Sequence, residues 1–283
     1  MNANGPVAPL GPERPRLSAL FDRLRVGTVL TLVALVTLVA LPLQWGALKL
    51  GLPARGRIPL LFHRIVLRLI GVRRRVIGAP AEARPLLLLS NHSSWLDIVV
   101  LGSVMELVFV AKSEVDGWPV IGLFARLQRT VFVDRQRRAS TGAVNRQIAE
   151  RLSRGDPVVL FAEGTSSDGN RVLPFRTALV GAVREVMADG APATVQPVAI
   201  TYLGLQGVPM GRTHRPVSAW YGDMDLVPHL LEVLRQGALD VTVSFGTARA
   251  LDGTVDRKAV TRACENEVRS LSEACLIGRG MPT

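Results

Sequence analysis

A long uncharged segment near the start of the chain places the strongest constraint on its fold. No Asp, Glu, Lys or Arg occurs between Arg25 and Lys49, and a helix over that stretch can cross a hydrocarbon core about 30 Å thick. A secretory signal peptide is the alternative, but the apolar run is long for one and no small-residue cleavage site follows it convincingly. We therefore expect a retained membrane segment.

Basic residues flank this apolar run on both sides, so the distribution of positive charge does not assign its two ends to opposite sides of a membrane. The flanking residues are Arg14, Arg16, Arg23 and Arg25 before it, and Arg55, Arg57, Arg64, Arg68 and Arg73 to Arg75 after it. A single transmembrane helix and a helical hairpin or re-entrant helix with both ends cytoplasmic are both compatible with this pattern.

The stretch from Ile58 to Val72 gathers His63, Arg64 and Arg68 on one side at helical spacing. Such a pattern predicts an interfacial basic helix with its apolar face toward the bilayer. A globular-domain helix with a solvated basic stripe is the alternative. In either case we expect His63 to belong to the polar stripe.

Composition narrows the class of partner. The 283 residues are 48% hydrophobic, enough for one good-sized core with a small appendage. A formal net charge of +11 points to a polyanionic partner, either nucleic acid or an anionic bilayer. The mean hydropathy of +0.27 favours the bilayer, and an aromatic fraction of 5% without a nucleic-acid-binding motif argues against nucleic acid. Cys264 and Cys275 are expected to be reduced, in a cytosolic compartment.

After Pro85 short apolar runs alternate with helical patterns. The expected strands are Leu86–Ser90, Leu107–Ala111, Thr130–Val133, Pro157–Ala162, Val195–Tyr202 and Val241–Phe245, and the expected helices are Thr141–Ser153, Ala178–Ala188 and Arg257–Leu276. This alternation predicts an α/β domain with a layered sheet covered by helices. We expect a disordered tail over residues 1–20, the membrane segment and interfacial basic helix over 21–80, and a catalytic domain over 81–283.

His92 and Asp97 directly follow the first predicted strand. If the chain turns into a helix there, Asp97 can accept a hydrogen bond from one ring nitrogen of His92, which leaves the other nitrogen to take a proton. No serine or cysteine is needed when the nucleophile is a hydroxyl of the substrate. The pair therefore predicts group transfer, and the alternative is a loop histidine beside a helix-capping aspartate.

Glu163, Gly164 and Thr165 follow the predicted strand Pro157–Ala162. A plain strand-to-loop turn is the alternative reading. The polar loop that continues to Arg176 is better suited to hold a hydroxylated headgroup than to fill a core. Because strand-terminal loops form the binding crevice of such sheets, we expect these residues near His92 and Asp97.

Two other features bear on ligands. Arg135 follows the strand Thr130–Val133 and opens a basic cluster that suits phosphate, although an ordinary surface ion pair with Asp134 is the alternative. His214 and His229 lack partners at ligand spacing and no Cys-x-x-Cys occurs, so no metal site is predicted. Neither a Gly-x-Gly-x-x-Gly nor a Walker loop is present, so no nucleotide cofactor is predicted.

Four segments together resemble the glycerolipid acyltransferase family, whose bacterial type member is 1-acylglycerol-3-phosphate acyltransferase. They are Asn-His-Ser-Ser-Trp-Leu-Asp at 91–97, Val-Phe-Val-Asp-Arg at 131–135, Phe-Ala-Glu-Gly-Thr-Ser-Ser at 161–167 and Val-Gln-Pro-Val-Ala-Ile at 195–200. The first matches the His-x4-Asp catalytic block of the family in full. The resemblance implies a glycerol-3-phosphate acyltransferase-like fold.

The resemblance also implies roles. His92 would be the general base and Asp97 its orienting partner, while Arg135, Glu163, Gly164, Thr165 and Arg176 would bind the substrate. The implied reaction moves a fatty acyl group from acyl-CoA or acyl carrier protein, as co-substrate, to the hydroxyl of a lyso-lipid. We expect this to occur at the cytoplasmic membrane, with the catalytic domain on the cytoplasmic side and in contact with anionic lipid.

The main expectation for the acceptor is 1-acylglycerol-3-phosphate, giving phosphatidic acid. Ser166 stands where the family commonly has arginine, and the segment Glu-Gly-Thr-Ser-Ser-Asp-Gly resembles the lyso-ornithine lipid acyltransferase branch, whose acceptor carries no phosphate. Lyso-ornithine lipid is therefore the alternative acceptor. Two other classes of protein stay open: a non-catalytic lipid-binding membrane adaptor, for which the dyad would be dispensable, and a thioester hydrolase that uses water.

Overall fold

The computed structural model describes residues 16–133, 141–177, 192–251 and 256–278. Two long helices come first, and an α/β domain follows them. The helices are α1 Arg16–Lys49, α2 Ala54–Leu69, α3 Leu96–Gly102, α4 Ile121–Leu127, α5 Thr141–Ser153, α6 Leu226–Gln236 and α7 Arg257–Leu276. The strands are β1 Val72–Ile77, β2 Leu86–Ser90, β3 Val108–Lys112, β4 Val131–Val133, β5 Val158–Phe161, β6 Ala193–Leu205, β7 Val208–Pro209, β8 Leu239–Phe245 and β9 Arg249–Leu251.

The strands form one sheet in the order β1-β8-β6-β2-β5-β3-β4, with β7 and β9 also paired to β6. Strand β2 is parallel to both of its neighbours, and Ser90 at its end is level with Phe161 of β5 and Val198 of β6. The residues that follow β2 and β5 therefore leave the sheet side by side. Because β2 is buried on both faces, it consists of an unbroken run of leucines before Ser90.

Helices cover the two faces of the sheet with separate apolar cores. Leu87 and Leu89 of β2 face the core that α5 and α7 close, with Ile148 and Cys264 among its buried members. Leu86 and Leu88 face the other core, which α2, α3 and α6 close. The predicted layered sheet covered by helices is thus confirmed, and Cys264 and Cys275 are both buried free thiols.

Helices α1 and α2 form an antiparallel hairpin on the second face. Near the start of α1, Arg25 donates from Nη2 to the carbonyl of Ile70, just beyond the end of α2. Near the end of α1, Gln44 donates to the carbonyl of Arg55 in the first turn of α2 and to that of Leu127. These three bonds hold α1 at both ends, two of them to α2 and its end and the third to Leu127 at the end of α4.

Most of the surface of α1 nevertheless stays apolar and uncovered. The stretch Leu20–Lys49 is long and apolar enough to cross a membrane, and only 6% of its most apolar 18-residue window is buried within the protein. It is the one such helix in the described ranges. Residues Leu35, Leu38, Val39 and Leu43 are among its exposed side chains, as suits a helix whose surroundings are lipid.

Several predictions at the N-terminal end need correction. Residues 16–20 are helical, so the predicted disordered tail does not extend to residue 20, and residues 1–15 lie outside the described part of the chain. The helix predicted over Ile58–Val72 ends at Leu69, and Val72 already begins β1. Gly71, with φ +83°, allows the sharp turn between them.

His63 is not part of a polar stripe, contrary to the prediction. Its side chain is buried between α2 and α3, where Nε2 bonds the side-chain oxygen of Gln128 at 3.0 Å. Gly102 makes room for it, since a Cβ there would lie 2.4 Å from the imidazole Cδ2. Burial lowers the pKa of His63, so the ring is neutral at physiological pH.

Candidate active site

The loop between β2 and α3 brings His92 and Asp97 together. Asn91 fixes the start of this loop, because its side-chain amide both donates to and accepts from the backbone of Ile200 on β6. Asp97 lies in the first turn of α3, and its Oδ2 is 2.9 Å from Nδ1 of His92. The hydrogen bond predicted from the sequence is therefore present.

The Asp97 carboxylate is held from several sides. Oδ2 also accepts from the backbone N–H groups of Ser93 and Ser94, and Oδ1 accepts from the hydroxyl of Tyr202 at 2.7 Å. Burial and the neighbouring Asp97 charge raise the pKa of Tyr202 well above its ordinary value, so this hydroxyl keeps its proton. Because a carboxylate only accepts hydrogen bonds, His92 donates from Nδ1, and Nε2 is left as the proton acceptor.

His92 has a defined ring orientation. Its imidazole stacks on Phe161 at the end of β5, with the ring centroids 4.0 Å apart and the planes 19° from parallel. The side chain remains 19% exposed, so a substrate can reach it. A base held by a buried carboxylate and open on one side is the arrangement that general-base catalysis requires.

Glu163 follows β5 and lies beside the dyad. Its Oε1 accepts from the backbone N–H of Leu173 at 3.1 Å, while its buried Oε2 has no hydrogen-bond partner among the described residues. Burial raises the pKa of Glu163 to about 8, although backbone N–H groups of Leu173 and His92 act in the opposite direction. At neutral pH the carboxyl is therefore mostly protonated, and it can donate as well as accept.

The other predicted residues of this segment are placed next to Glu163. Gly164 has φ +72°, and a Cβ on it would lie 2.8 Å from Cδ of Arg176, so the arginine side chain covers a position that only glycine can occupy. Thr165 and Arg176 are exposed. The loop returns to the dyad at Ser167, whose N–H donates to the carbonyl of His92 at 2.8 Å. Arg135 lies outside the residues that the structure describes.

The segment 210–220 contacts the loop that carries the dyad, which the sequence did not reveal. The N–H of Trp220 donates to the carbonyl of Ser93 at 2.7 Å, and the buried Arg215 donates to the side-chain oxygen of Asn170 at 2.9 Å. Trp95 also reaches this region, since its indole N–H donates to His229 of α6 at 3.0 Å. No motif marks these residues in the sequence, because they meet the dyad only through the tertiary fold.

Comparison with known proteins places these features in one family. The acyltransferase family model matches residues 73–201. This range includes β2, the dyad and Glu163, and it ends at Thr201, one residue before Tyr202. The fold resembles the crystal structure of the 1-acyl-sn-glycerophosphate acyltransferase of Thermotoga maritima, with a TM-score of 0.61 over 91% of this chain and 97% of that one. The sequence identity in that comparison is 18%, so the likeness concerns the fold.

Curated relatives are similar over a greater length. The lyso-ornithine lipid O-acyltransferase of Brucella abortus is 50% identical over 265 residues, covering 93% of this chain and 99% of that protein. The enzyme of the same name from Rhizobium meliloti is 48% identical over 92% of this chain and 90% of that protein. A 1-acyl-sn-glycerol-3-phosphate acyltransferase of Neisseria gonorrhoeae is 34% identical over 69% of this chain and 73% of its own length. This chain therefore belongs to the acyltransferase family.

Proposed function

We propose that this acyltransferase transfers a fatty acyl group from acyl-CoA or acyl carrier protein to the hydroxyl of lyso-ornithine lipid. The observation that carries the chemistry is the hydrogen bond between His92 Nδ1 and the buried carboxylate of Asp97, which leaves Nε2 of this partly exposed ring as the proton acceptor. A hydroxyl acceptor needs such a base, and it needs no serine or cysteine nucleophile from the protein.

In the proposed reaction, Nε2 of His92 takes the proton of the acceptor hydroxyl as its oxygen attacks the thioester carbonyl. Asp97 stabilises the imidazolium that forms. The tetrahedral intermediate then expels the thiolate of the donor, which takes the proton back from His92. The products are an ester and a free thiol, and the dyad returns to its starting state. Glu163, protonated near neutral pH, contributes hydrogen bonds to the acceptor, together with Gly164 and Thr165.

The choice of acceptor rests on similarity and on one residue. The relatives from Brucella abortus and Rhizobium meliloti, both named for lyso-ornithine lipid, match this chain at higher identity and over more of their length than the neisserial relative named for the glycerol phosphate. In addition, Ser166 stands at the position where an arginine is expected in enzymes whose acceptor carries a phosphate. The glycerol phosphate, 1-acylglycerol-3-phosphate, is the second candidate, and it is supported by the exposed Arg176 beside Gly164.

The uncovered apolar surface of α1 supports a membrane position for the enzyme. Lyso-lipid acceptors and diacyl products partition into bilayers, so a site held at the interface meets them directly. The donors are cytoplasmic thioesters, and we therefore place the catalytic domain on the cytoplasmic side of the inner membrane. The exposed arginines of α2 would contact anionic lipid there.

The test is an acyl-transfer assay with the membrane-bound protein, a labelled acyl donor, and lyso-ornithine lipid set against 1-acylglycerol-3-phosphate. We expect a labelled ornithine lipid product. His92→Ala should lower its rate by about 10²- to 10⁴-fold, whereas His214→Ala, at an exposed histidine of the segment 210–220, should leave the rate unchanged.

Each alternative gives a different result in this assay. Labelled phosphatidic acid without ornithine lipid would assign the second acceptor, and labelled free acid would indicate a thioester hydrolase. Full transfer activity in His92→Ala would overturn the proposed base. The non-catalytic adaptor would give no labelled lipid with any acceptor.

A further inference from the structure

Arg215 is a buried cation that forms no ion pair with the described residues. It begins a 3₁₀ turn, Arg215–Val217, and is only 7% exposed. Two of its five N–H donors are used, by the side-chain oxygen of Asn170 at 2.9 Å and the carbonyl of Met210 at 3.4 Å. Its buried Nε has no hydrogen-bond partner among the described residues, and no carboxylate in those ranges forms an ion pair with it. Buried arginines are normally paired, so this one is available to an anion.

The position of Arg215 is tied to the catalytic dyad from two directions. Arg215 donates to Asn170, which lies three positions after Ser167 in the same loop. The N–H of Ser167 in turn donates to the carbonyl of His92. Trp220, five positions after Arg215, donates to the carbonyl of Ser93. Arg215 is thus joined to the segments around the dyad by its side-chain bond to Asn170, and those segments are held to the dyad loop by backbone hydrogen bonds.

A carboxylate lies on the other side of Asn170. Asp168 is half-buried, and its Oδ1 accepts from the N–H of Asn170 at 3.0 Å. Its Oδ2 accepts from the side-chain amide of the same residue at 3.4 Å. The side-chain amide of Asn170 therefore bridges Asp168 and Arg215, and no ion pair joins the two charges. A ligand with an anion and a cation at matching positions would pair with both.

A zwitterionic headgroup fits this arrangement better than a phosphate does. An ornithine acylated on one amine carries one carboxylate and one ammonium, which are the complements of Arg215 and Asp168. A phosphate monoester would be attracted by Arg215 but repelled by Asp168. Opposite charges in the acceptor site would therefore discriminate between the two candidate acceptors.

We propose that Arg215 binds the carboxylate and Asp168 the ammonium of an ornithine headgroup, and that these two residues set the acceptor specificity. This inference rests on the proposed function. It assigns no part of the proton transfer to either residue, so both are specificity residues and their loss should raise KM more than it lowers kcat.

The experiment compares three acceptors on the full-length enzyme in mixed micelles: lyso-ornithine lipid, its carboxyl methyl ester, and its derivative acetylated on the free amine. The wild type should prefer the parent compound to either derivative by about 10- to 100-fold in kcat/KM, as expected for one charged hydrogen-bonded contact. Arg215→Gln should lose the preference over the methyl ester and keep the preference over the acetylated compound. Asp168→Asn should show the reverse pattern.

Arg262→Gln is the matched control, because Arg262 is an exposed arginine on α7, outside both the segment 210–220 and the loop of Asn170. It should keep both preferences. Each readout is a ratio measured on one protein sample, so partial unfolding of a variant does not change it. If Arg215→Gln yields no folded protein, the wild-type ratios and the Asp168→Asn ratios still decide the matter.

Two outcomes would overturn the inference while the proposed function stands. One is a wild type that acylates the methyl ester or the acetylated compound as well as the parent. The other is an Arg215→Gln or Asp168→Asn variant that retains the wild-type pattern. If the wild type acylates 1-acylglycerol-3-phosphate but not lyso-ornithine lipid, the proposed function itself fails, and this inference fails with it.

Discussion

Asp97 does more than orient His92. It accepts four hydrogen bonds, from the His92 ring, the N–H groups of Ser93 and Ser94, and the Tyr202 hydroxyl. In an Asp97→Asn variant, an NH₂ group that cannot accept a hydrogen bond replaces one carboxylate oxygen. The four donors would then face this NH₂ group or compete for the remaining oxygen, so the change alters both the base and the loop that carries it. This carboxylate is thus the point at which the catalytic base and the local fold depend on the same atoms.

Glu163 should make stability depend on pH. Its pKa is raised to about 8 in the folded protein by burial, against an ordinary value near 4.5. The folded state therefore keeps a proton that the unfolded chain loses, and the stability associated with this group falls as the pH rises from about 4.5 to about 8. Glu163→Gln removes that dependence.

The measurement is the difference in unfolding free energy between Glu163→Gln and the wild type, in detergent, at pH 5 and at pH 8.5. We expect the variant to gain stability relative to the wild type at the higher pH, since each unit of pKa shift corresponds to about 1.4 kcal/mol. Glu150→Gln is the control, because Glu150 is an exposed residue of α5 that forms an ion pair with Arg154. A difference that is the same at both pH values would show that Glu163 ionises as an ordinary surface carboxyl.

At the scale of elements, the bounds of helices and strands were predicted correctly where residues close in sequence determine them. Strand β2 and helices α5 and α7 begin and end at the predicted residues, since β2 is an apolar run after Pro85 and α7 has Asp256 as a cap that accepts from the N–H of Lys258. The predicted helix Ala178–Ala188 lies outside the described residues.

Strand β1 was missed because Arg73 to Arg75 hide the alternation that marks a strand. The structure explains the run. Within the described part of the chain β1 is an edge strand that pairs with β8, and Arg73 forms a bidentate ion pair with Asp240 of that distant strand. The same limit applies to the site. The contact between His92 and Asp97 is local in sequence and was predicted. The contact between Tyr202 and Asp97 spans 105 positions, and no local pattern predicts it.

Helix α1 should hold the enzyme in the membrane through its uncovered apolar face. Leu38 is 70% exposed near the middle of the apolar run, so Leu38→Arg should leave the packing of the protein intact. An arginine near the centre of a bilayer costs about 2.5–3.5 kcal/mol. We therefore expect a marked shift of the variant from the membrane fraction to the soluble fraction after a high-salt wash.

The matched control is Val227→Arg on α6, at an apolar residue that is 66% exposed. This change introduces the same side chain at a similar exposure outside the apolar run, and membrane retention should not change. Equal retention of Leu38→Arg and the wild type would mean that α1 is not the main anchor.

On the scale of the whole molecule, the two faces of the sheet differ in how their arginines are grouped. On the side of α2 and β1, Arg64, Arg68 and Arg74 form no ion pair with the described residues, and burial together with the other two charges lowers the pKa of Arg74. On the side of α7, Arg269 and Arg249 are paired with Glu265 and Glu267. This cluster of three thus lies on the face of the sheet against which α1 and α2 pack, where Arg57 and Arg73 are paired. On the other face the exposed Arg262 of α7 also forms no ion pair with the described residues, but it stands apart from other unpaired arginines of that helix.

This asymmetry predicts which face binds an anionic membrane. In the Leu38→Arg background, where insertion is weakened, the remaining attraction should depend on Arg64 and Arg68. Replacing both with glutamine should reduce binding to vesicles of phosphatidylglycerol and phosphatidylcholine by roughly 30-fold in low salt, at about 1 kcal/mol for each arginine near an anionic surface. The effect should shrink in 0.5 M salt, because screening shortens the range of the attraction.

Arg262→Gln provides the control for this experiment, since Arg262 is exposed on α7 across the sheet. If the asymmetry orients the enzyme, Arg262→Gln leaves vesicle binding almost unchanged while the double variant at Arg64 and Arg68 loses it. Equal losses in both would mean that the net charge of +11 attracts the membrane from every side. In that case, the apolar surface of α1 would set the orientation of the catalytic domain by itself, with no contribution from the charge of the α2 face.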